Sequence, residues 1–427
     1  MVIVFVHGLA GWGGEAAIAR VMPYWGGPSG SIPEYLGRQG YECHTASVGP
    51  FSSTWDRACD LFAQLAGTRA DYGAAHAAAQ GHARCGRAYD APLVPGWANG
   101  KRKIHLVGHS FGGATIRLLA HLLEEGSAEE REATPEGELS PLFSGQLGGC
   151  IASVTTLAAP HNGSTALEPQ VHGAAAMQLL MTCMAQAATA IPLMGRFYPV
   201  GLEQFGISFR DSRRALRKTA GAINAFANAA DGAKRDLTID GAAALNKAIR
   251  CQPGIYYFSY AAQMTREDGG GNHVPKKCMT PILREVSACM GRRRAPFQTA
   301  GGIWIGGDWL PNDGIVNLVS ALHPFGDPHQ EYDSNNLRPG VWQVMPVVQT
   351  RDHATFIAAA GPFGGGPALR EFYLSLARML ERTEQTHGAS PQKTAAQNRG
   401  VSYPAALACG RHDGGGMEEH PPCRGQL

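Results

Sequence analysis

The sequence lacks a marked excess of either charge, and it also lacks a long uninterrupted apolar run. Lys and Arg number 37 and Asp and Glu number 35, so the net charge is only +2. This balance gives no electrostatic reason to expect nucleic acid as a partner. No apolar run reaches the roughly 20 residues that a membrane-spanning helix needs, so we predict no transmembrane anchor. With 427 residues, of which 17% are charged and 44% hydrophobic, the chain is long enough for one large folded domain and is not a highly charged disordered one.

The N-terminus lacks the basic segment and cleavage site of a secretory signal. Met1 is followed directly by the apolar run at 2–6. Location is therefore left open. We expect a cytoplasmic protein by default, or a secreted one whose signal has been trimmed or left out.

The sequence also lacks the close cysteine pairs of a metal site. Its 10 cysteines are scattered along the chain, and in a chain of this length we expect most of them to be reduced, buried thiols. Cys278 and Cys289 are the one pair that we would test for a disulfide.

Strand patterns alternate with helix patterns along the chain, which predicts an α/β fold. We predict one domain over residues 1–384. A tail over 385–427, rich in Gly, Gln, Pro and Ser, is expected to be disordered. The predicted strands lie at 2–6, 40–47, 104–107, 151–157, 254–260 and 341–348, and the predicted helices at 32–39, 54–66 and 112–124.

Two segments between these elements have an unusual composition. Residues 124–138 carry many glutamates, and we predict a solvated loop there. Residues 174–194 carry no charge, and a helix in this segment would be apolar nearly all round with one thin polar stripe. That pattern is typical of a buried core helix.

The segment Gly108-His109-Ser110-Phe111-Gly112 matches the G-x-S-x-G motif of serine hydrolases. An apolar strand enters the motif and a helix follows it, which is the context that the motif requires. The glycines allow a tight turn, because a Cβ at either position would collide with the neighbouring strand or helix. We therefore predict that Ser110 is a nucleophile whose Oγ lies at the N-terminus of a helix.

A serine nucleophile also needs backbone N–H donors for the oxyanion of its tetrahedral intermediate. One donor comes from the residue after the nucleophile, here Phe111, and the other from a loop after an early strand. Leu9 follows the first strand, so its N–H is the second candidate. We interpret His7 as a hydrogen-bonded turn residue.

In this fold the acid and then the base follow the serine along the chain. His353 lies just after the predicted strand 341–348, where a loop can return over the sheet, but the residues alone leave the choice open. His323 and His329 lie in a proline-rich loop and are expected to be exposed. The candidates are Asp308, Asp313, Asp327, Asp333 and Asp352 for the acid, and His273, His323, His329 and His353 for the base.

The whole sequence resembles the secreted staphylococcal and thermostable bacillary (Geobacillus-type) triacylglycerol lipases, which have the α/β-hydrolase fold. The resemblance covers residues 2 to about 380. Its long middle blocks are more specific than the serine motif alone. The matching stretches are 2–14 (VIVFVHGLAGWGG), 24–27 (YWGG), 48–59 (VGPFSSTWDRAC), 71–89 (DYGAAHAAAQGHARCGRAY), 105–113 (HLVGHSFGG), 153–164 (SVTTLAAPHNGS), 235–246 (RDLTIDGAAALN), 312–317 (NDGIVN) and 352–353 (DH).

The resemblance implies a mostly parallel central sheet flanked by helices, with Asp313 as the acid and His353 as the base. It also implies a helical lid region at about 165–245 that contains the charge-free segment, and an insert at about 52–90 that is braced by a structural Zn²⁺. The implied zinc ligands are Asp56, His76, His82 and Asp236. Two carboxylates and two imidazoles can close a tetrahedral zinc site.

Three features depart from the family. The positions of two family Ca²⁺ ligands are Thr355 and Ala360, which carry no carboxylate, so we expect no calcium there. Phe111 stands where the family usually has Gln, but only its N–H is required for the oxyanion. Family members are secreted, whereas this sequence begins without a signal.

We therefore expect a serine esterase that hydrolyses long-chain acylglycerols at an oil–water interface. A carboxylesterase or acyltransferase acting on short-chain or soluble esters with the same residues is the alternative. An inactive hydrolase fold that serves as a binding protein is a third hypothesis. The sequence leaves acyl-chain preference, positional selectivity and oligomeric state open.

Overall fold

The computed structural model describes residues 1–97, 100–171, 231–357 and 366–388. The charge-free segment at 174–194, predicted from its pattern to be a core helix and from the resemblance to be a lid, lies outside these residues. Most of the predicted tail also lies outside them. The two ends of the expected lid region are described, and they are formed by short 3₁₀ turns before residue 172 and by two helices after residue 232.

Strands and helices mostly alternate over the first half of the described chain, as the sequence predicts. The helices are α1 Ile32–Arg38, α2 Thr54–Ala66, α3 Ala74–Gln80, α4 Phe111–Glu125, α5 Ala128–Ala133, α6 Ala233–Leu237, α7 Ile239–Ala248, α8 Arg284–Met290, α9 Leu318–Leu322 and α10 Pro367–Gly388. The strands are β1 Val2–Val6, β2 Glu42–Ala46, β3 Arg69–Asp71, β4 Cys85–Ala88, β5 Ile104–His109, β6 Ile151–Leu157, β7 Tyr256–Tyr260, β8 Thr265–Glu267, β9 His273–Pro275, β10 Phe297–Gln298, β11 Trp304–Ile305, β12 His329–Glu331 and β13 Trp342–Val344.

Seven strands form a central sheet in the order β2-β1-β5-β6-β7-β13-β12. Every neighbouring pair in this sheet is parallel. The carboxyl ends of its strands therefore lie at one edge, and the loops that follow them can bring distant residues together. The predicted α/β sheet is confirmed.

The sheet is covered on both faces, which explains why its central strands β1, β5, β6 and β7 are buried along their whole length. Side chains alternate across β1. Val2, Val4 and Val6 pack into a core with α2 and α4, whereas Ile3 and Phe5 pack into a second core with α1 and α10. The two cores fix the strand that leads into the glycine-rich turn at Gly8.

The prediction of a solvated loop at 124–138 is wrong, because residues 128–133 form α5. Ser127 caps this helix by accepting a hydrogen bond from the Glu130 N–H. Glu130 is itself buried, and its carboxylate accepts hydrogen bonds from the N–H groups of Ala75 and His76 at the start of α3. The glutamate-rich composition concealed one carboxylate that caps a helix in the insert.

Other differences concern the edges of the fold. Strand β12, which contains His329, was not predicted because it is only three residues long and lies at the sheet edge. Helix α10 continues to Gly388, four residues into the predicted tail. No helix among the described residues is long and apolar enough to cross a membrane.

Most of the described cysteines are free thiols, as expected, but of these free thiols only Cys59 and Cys150 are buried. Cys43, Cys59, Cys150, Cys251, Cys278 and Cys289 are free, so the suggested Cys278–Cys289 pair is not formed. Cys85, at the start of β4, is disulfide-bonded.

Candidate active site and buried metal-ligand group

Ser110 lies between the end of β5 and the first turn of α4. Its backbone has φ +54° and ψ −126°, a conformation that non-glycine residues rarely adopt. A Cβ added to Gly108 would lie 2.5 Å from the Gly112 carbonyl oxygen, and one added to Gly112 would lie 2.3 Å from the Val6 carbonyl oxygen. Both glycines are therefore required by the close approach of strand and helix, as the motif predicts.

Ser110, His353 and Asp313 form a continuous chain of contacts. His353 Nε2 lies 2.9 Å from Ser110 Oγ, and His353 Nδ1 lies 2.9 Å from Asp313 Oδ2. Because a carboxylate only accepts, Nδ1 carries a proton, and in its neutral form the imidazole presents the Nε2 lone pair to the serine hydroxyl. Such a chain can remove the proton of Ser110 as the hydroxyl attacks an electrophile.

The carboxylate of Asp313 is buried and held from two sides. Its Oδ1 accepts hydrogen bonds from the N–H groups of Ile315 and Val316, which leaves Oδ2 directed at His353. The His353 N–H also donates to the Asp313 carbonyl. These contacts fix the orientation of the imidazole relative to Ser110.

Four of the other acid and base candidates have different partners. Asp352 accepts hydrogen bonds from the N–H groups of Thr280 and Thr355. Asp327 accepts from the Trp342 indole. His323 stacks on His329 with 3.6 Å between ring centroids. His329 is exposed as predicted, whereas His323 is only partly exposed.

The predicted oxyanion donors lie close to the nucleophile. Phe111 is the first residue of α4, and Leu9 packs against the small apolar cluster that contains the Phe111 side chain. Within the described residues, neither the Leu9 N–H nor the Phe111 N–H has a hydrogen-bond acceptor. A Cβ added to Gly8 would lie 2.9 Å from Ser110 Cβ, so the loop approaches the serine as closely as glycine permits. Two donors in this position can stabilise charge on a tetrahedral intermediate.

Arg57, which is fully buried on α2, supports the loop that contains Leu9. Its guanidinium donates to the carbonyl oxygens of His7 and Gly49 and to the Thr115 hydroxyl. It also lies over the Phe111 ring, 4.9 Å from the centroid. One cation therefore connects the segment before Leu9 to the residue after Ser110.

His7 is a hydrogen-bonded turn residue, as predicted. Its Nδ1 donates to the Gly8 carbonyl, and its Nε2 accepts from the Val48 N–H. Burial, assisted by the charge of Arg57, lowers the pKa of His7 to about 3. The ring is therefore neutral in the folded protein across the usual pH range.

A second buried cluster contains the side chains of Asp56, His76, His82 and Asp231. His76 Nε2 lies 3.2 Å from Asp56 Oδ1 and 3.4 Å from Asp231 Oδ2. His82 Nε2 lies 3.8 Å and 3.3 Å from the same two oxygens. Ligand atoms about 2.0–2.1 Å from a tetrahedral zinc are about 3.3–3.4 Å apart. The four side chains therefore have the spacing that could hold a metal ion.

The surroundings also suit a metal. His82 Nδ1 lies 2.9 Å from the Ala83 carbonyl oxygen, which only accepts hydrogen bonds, so in its neutral form the ring presents the Nε2 lone pair to the cluster. Trp55 stacks on His76 with 5.2 Å between centroids, and Phe143 stacks on Trp55. These contacts fix both imidazoles, and Asp56 is fully buried beside them.

The fourth member of the cluster is Asp231 and not the predicted Asp236. Asp231 precedes α6 and reaches the two imidazoles. Asp236 lies within α6, and its Oδ2 accepts a 2.6 Å hydrogen bond from the Thr54 N–H at the start of α2. Burial raises the pKa of Asp236 above its ordinary value. The two acids are five residues apart, and helix α6 places the second one against the Thr54 N–H at the start of α2.

The two imidazoles and two carboxylates influence one another strongly. Burial lowers the pKa of His76, but hydrogen bonds and charges from Asp231 and Asp56 outweigh it and raise the pKa to about 9. Burial raises the pKa of Asp231, but His76 and His82 outweigh it and hold the pKa well below its ordinary value. The carboxylates therefore favour a positive charge at this place, which a proton on His76 or a bound cation would supply.

The fold and the serine site together define an α/β-hydrolase-type protein, and comparison with known proteins identifies the family. Residues 1–393 match the family described as "Lipase-like, C-terminal domain". The chain belongs to this lipase family. Lipase 2 of Staphylococcus aureus is 36% identical over 405 residues, which cover 91% of this chain and 55% of that protein. The chain thus spans about half the length of the curated relatives it matches.

Solved structures agree with this assignment. The crystal structure of Staphylococcus hyicus lipase matches with a TM-score of 0.77 and 31% identity, over 91% of this chain and 97% of that one. The structure of EstA from Clostridium botulinum matches with a TM-score of 0.77 and 34% identity, over 89% and 87% of the two chains. The expected resemblance to the staphylococcal lipases is confirmed.

Proposed function

We propose that this protein is a triacylglycerol lipase that hydrolyses long-chain acylglycerols through an acyl-enzyme on Ser110. Ser110 Oγ attacks the ester carbonyl while His353 Nε2 takes its proton. The N–H groups of Leu9 and Phe111 stabilise the oxyanion. His353 then gives its proton to the leaving alcohol, and Asp313 orients the imidazole and stabilises its charged form.

The second half of the reaction reverses these roles with water as the nucleophile. His353 removes a proton from water, the resulting hydroxide attacks the acyl carbonyl, and the Ser110 Oγ leaves with the proton from His353. The observation that carries this proposal is the pair of 2.9 Å contacts that join Ser110, His353 and Asp313. The lipase relatives support the same class of reaction.

We also propose a structural Zn²⁺ held by Asp56, His76, His82 and Asp231. When bound, the metal would hold α2, α3 and the segment before α6 together. It would contribute to folding and not to the chemical step. The buried carboxylates and the tautomer of His82 suit zinc, which binds oxygen and imidazole nitrogen ligands.

The charge-free segment at 174–194 is proposed as the lid.

A chain-length profile tests the proposal against a soluble-ester carboxylesterase. Activity should be measured on p-nitrophenyl butyrate in solution and on emulsified trioleoylglycerol, each with the wild type and with Ser110→Ala. We expect the wild type to hydrolyse both and to prefer the emulsion, because its segment at 174–194 carries no charge. Ser110→Ala should lose at least about a thousandfold in kcat on both.

Two results would contradict the proposal. Activity on the soluble ester with none on the emulsion would replace the lipase proposal by a carboxylesterase. Full activity of Ser110→Ala on both substrates would remove the serine mechanism altogether.

A further inference from the structure

His109, the residue directly before Ser110, is buried and makes two hydrogen bonds that the reaction does not use. Its Nε2 lies 2.9 Å from the His353 carbonyl oxygen, and its Nδ1 lies 2.8 Å from Tyr24 Oη. The rings of His109 and His353 lie 4.9 Å apart between centroids. A neutral polar ring thus lies between the backbone of the base and a buried tyrosine.

The direction of these hydrogen bonds is fixed by the groups that form them. A carbonyl oxygen only accepts, so His109 Nε2 must carry a proton. Burial lowers the pKa of His109 well below its ordinary value, so the ring is neutral and Nδ1 has a lone pair. Burial raises the pKa of Tyr24, so its hydroxyl keeps its proton and donates a hydrogen bond to His109 Nδ1.

Tyr24 extends this chain of hydrogen bonds to the oxyanion loop. Its Oη accepts a 2.9 Å hydrogen bond from the Gly8 N–H. Gly8 directly precedes Leu9, whose N–H is a proposed oxyanion donor. The chain therefore runs in one direction: the Gly8 N–H donates to Tyr24, Tyr24 donates to His109, and His109 donates to the His353 carbonyl.

We propose that Tyr24 and His109 are positioning residues that hold the oxyanion loop and the main chain of His353 in register with Ser110. This inference rests on the proposed ester hydrolysis at Ser110. Both residues act through other groups, because their own polar atoms are occupied by the chain. His109 is joined to Ser110 by a peptide bond, so the chain ties together the nucleophile, the base and one oxyanion donor.

Packing of the Tyr24 ring can be separated from the role of its hydroxyl. The ring contacts His7, Trp12 and Trp25 with centroid separations of 5.8, 5.6 and 5.4 Å. Tyr24→Phe keeps these contacts and removes only the oxygen that links Gly8 to His109. Its effect therefore reports on the hydrogen-bond chain.

The test measures kcat and KM on soluble p-nitrophenyl butyrate, together with the melting temperature. Tyr257→Phe is the matched control, because Tyr257 is also buried and its hydroxyl also accepts a 2.9 Å hydrogen bond from a backbone N–H, that of Gln252. We expect Tyr24→Phe to lower kcat by about tenfold with little change in KM. Tyr257→Phe should lower the melting temperature by about as much as Tyr24→Phe does, and it should leave kcat unchanged.

A second variant tests whether Tyr24 and His109 act as one unit. His109→Gln keeps an amide that can donate toward the His353 carbonyl but breaks the link to Tyr24. If one chain is involved, the double variant Tyr24→Phe/His109→Gln should lose no more kcat than the worse single variant. Multiplying losses would instead indicate two independent structural roles and overturn the proposal.

The outcomes distinguish this inference from the proposed function. If the wild type hydrolyses the ester, Ser110→Ala does not, and both Tyr24→Phe and His109→Gln retain full kcat, only the positioning role is overturned. An equal loss of kcat in Tyr24→Phe and Tyr257→Phe would also overturn it. If the wild type itself is inactive, the proposed function fails, and the inference fails with it.

Discussion

The buried cluster gives a prediction that separates two acids only five residues apart. Asp231→Asn removes one carboxylate from the group that faces His76 and His82. Asp236→Asn keeps an oxygen that can accept the hydrogen bond from the Thr54 N–H. We therefore expect Asp231→Asn to lose bound zinc and Asp236→Asn to retain it.

The size of the effect follows from ligand linkage. Zinc present at 100 times its dissociation constant stabilises the folded state by about 2.7 kcal/mol. A fold of about 380 residues unfolds with an entropy of about 0.8 kcal/mol per kelvin, so this stabilisation raises the melting temperature by about 3 °C. Tighter binding gives a larger shift. Asp231→Asn should lose this increment, whereas Asp236→Asn should change the melting temperature by less than about 1 °C.

The assay combines metal analysis with calorimetry, with and without a strong chelator. The wild type and Asp236→Asn should contain one zinc per chain, and chelator should lower their melting temperatures. Asp231→Asn should contain little zinc and show no further decrease with chelator. Loss of zinc in Asp236→Asn but not in Asp231→Asn would refute the assignment, as would a wild type without zinc.

Two further predictions concern the turn at Ser110 and the pH dependence of stability. Gly112→Ala places a Cβ against the Val6 carbonyl, so it should destabilise the fold by about 1–3 kcal/mol and impair ester hydrolysis. Gly254→Ala is the control and should do neither, because its Cβ meets nothing within 4 Å. Equal melting temperatures of the two variants in calorimetry would contradict this prediction. Because the pKa of His7 is about 3 in the folded state against an ordinary 6.5, the unfolded state binds one more proton between these values, so stability falls as the pH is lowered through that window. His7→Asn should reduce the slope of the unfolding free energy against pH in this window by the contribution of about one bound proton. An unchanged slope, measured by denaturant titrations at several pH values, would count against this prediction.

The local part of the active site could be predicted from sequence because its constraints are local. Ser110 lies in a pentapeptide whose glycines are dictated by contacts with the adjacent strand and helix. Most strands and helices of the sheet follow the same logic, since apolar runs and helical periodicity depend on nearby residues. Helix α2 has the predicted bounds of 54–66.

The distant partners of Ser110 could not be chosen from the residues alone. Asp313 and His353 are brought to it by loops at the carboxyl edge of the sheet, and no local pattern distinguishes them from the other candidates. The family resemblance supplied that choice, and the contacts of 2.9 Å agree with it. The same resemblance led to Asp236, because that acid lies in the matching stretch 235–246 whereas Asp231 lies just before it.

The roles of two further side chains could not be predicted from the sequence, because they depend on tertiary contacts. Glu130 was one of many glutamates in a stretch interpreted as solvated, yet it is buried because two N–H groups of α3 require an acceptor. Tyr24 lies 85 residues before His109, and only the fold brings its hydroxyl to that ring. A motif around the nucleophile therefore identifies the serine but not the hydrogen bonds that hold its neighbours.

The most direct test of the central claim is to locate the residue that an ester-like phosphonate modifies. The protein should be treated with a p-nitrophenyl alkylphosphonate, and the adduct located by peptide mass spectrometry, with Ser110→Ala treated in parallel. The account predicts one phosphonyl group per chain, on Ser110, with simultaneous loss of ester hydrolysis and no adduct in Ser110→Ala. An adduct on a different residue that accompanies the loss of activity, or unchanged hydrolysis after complete modification of Ser110, would contradict it.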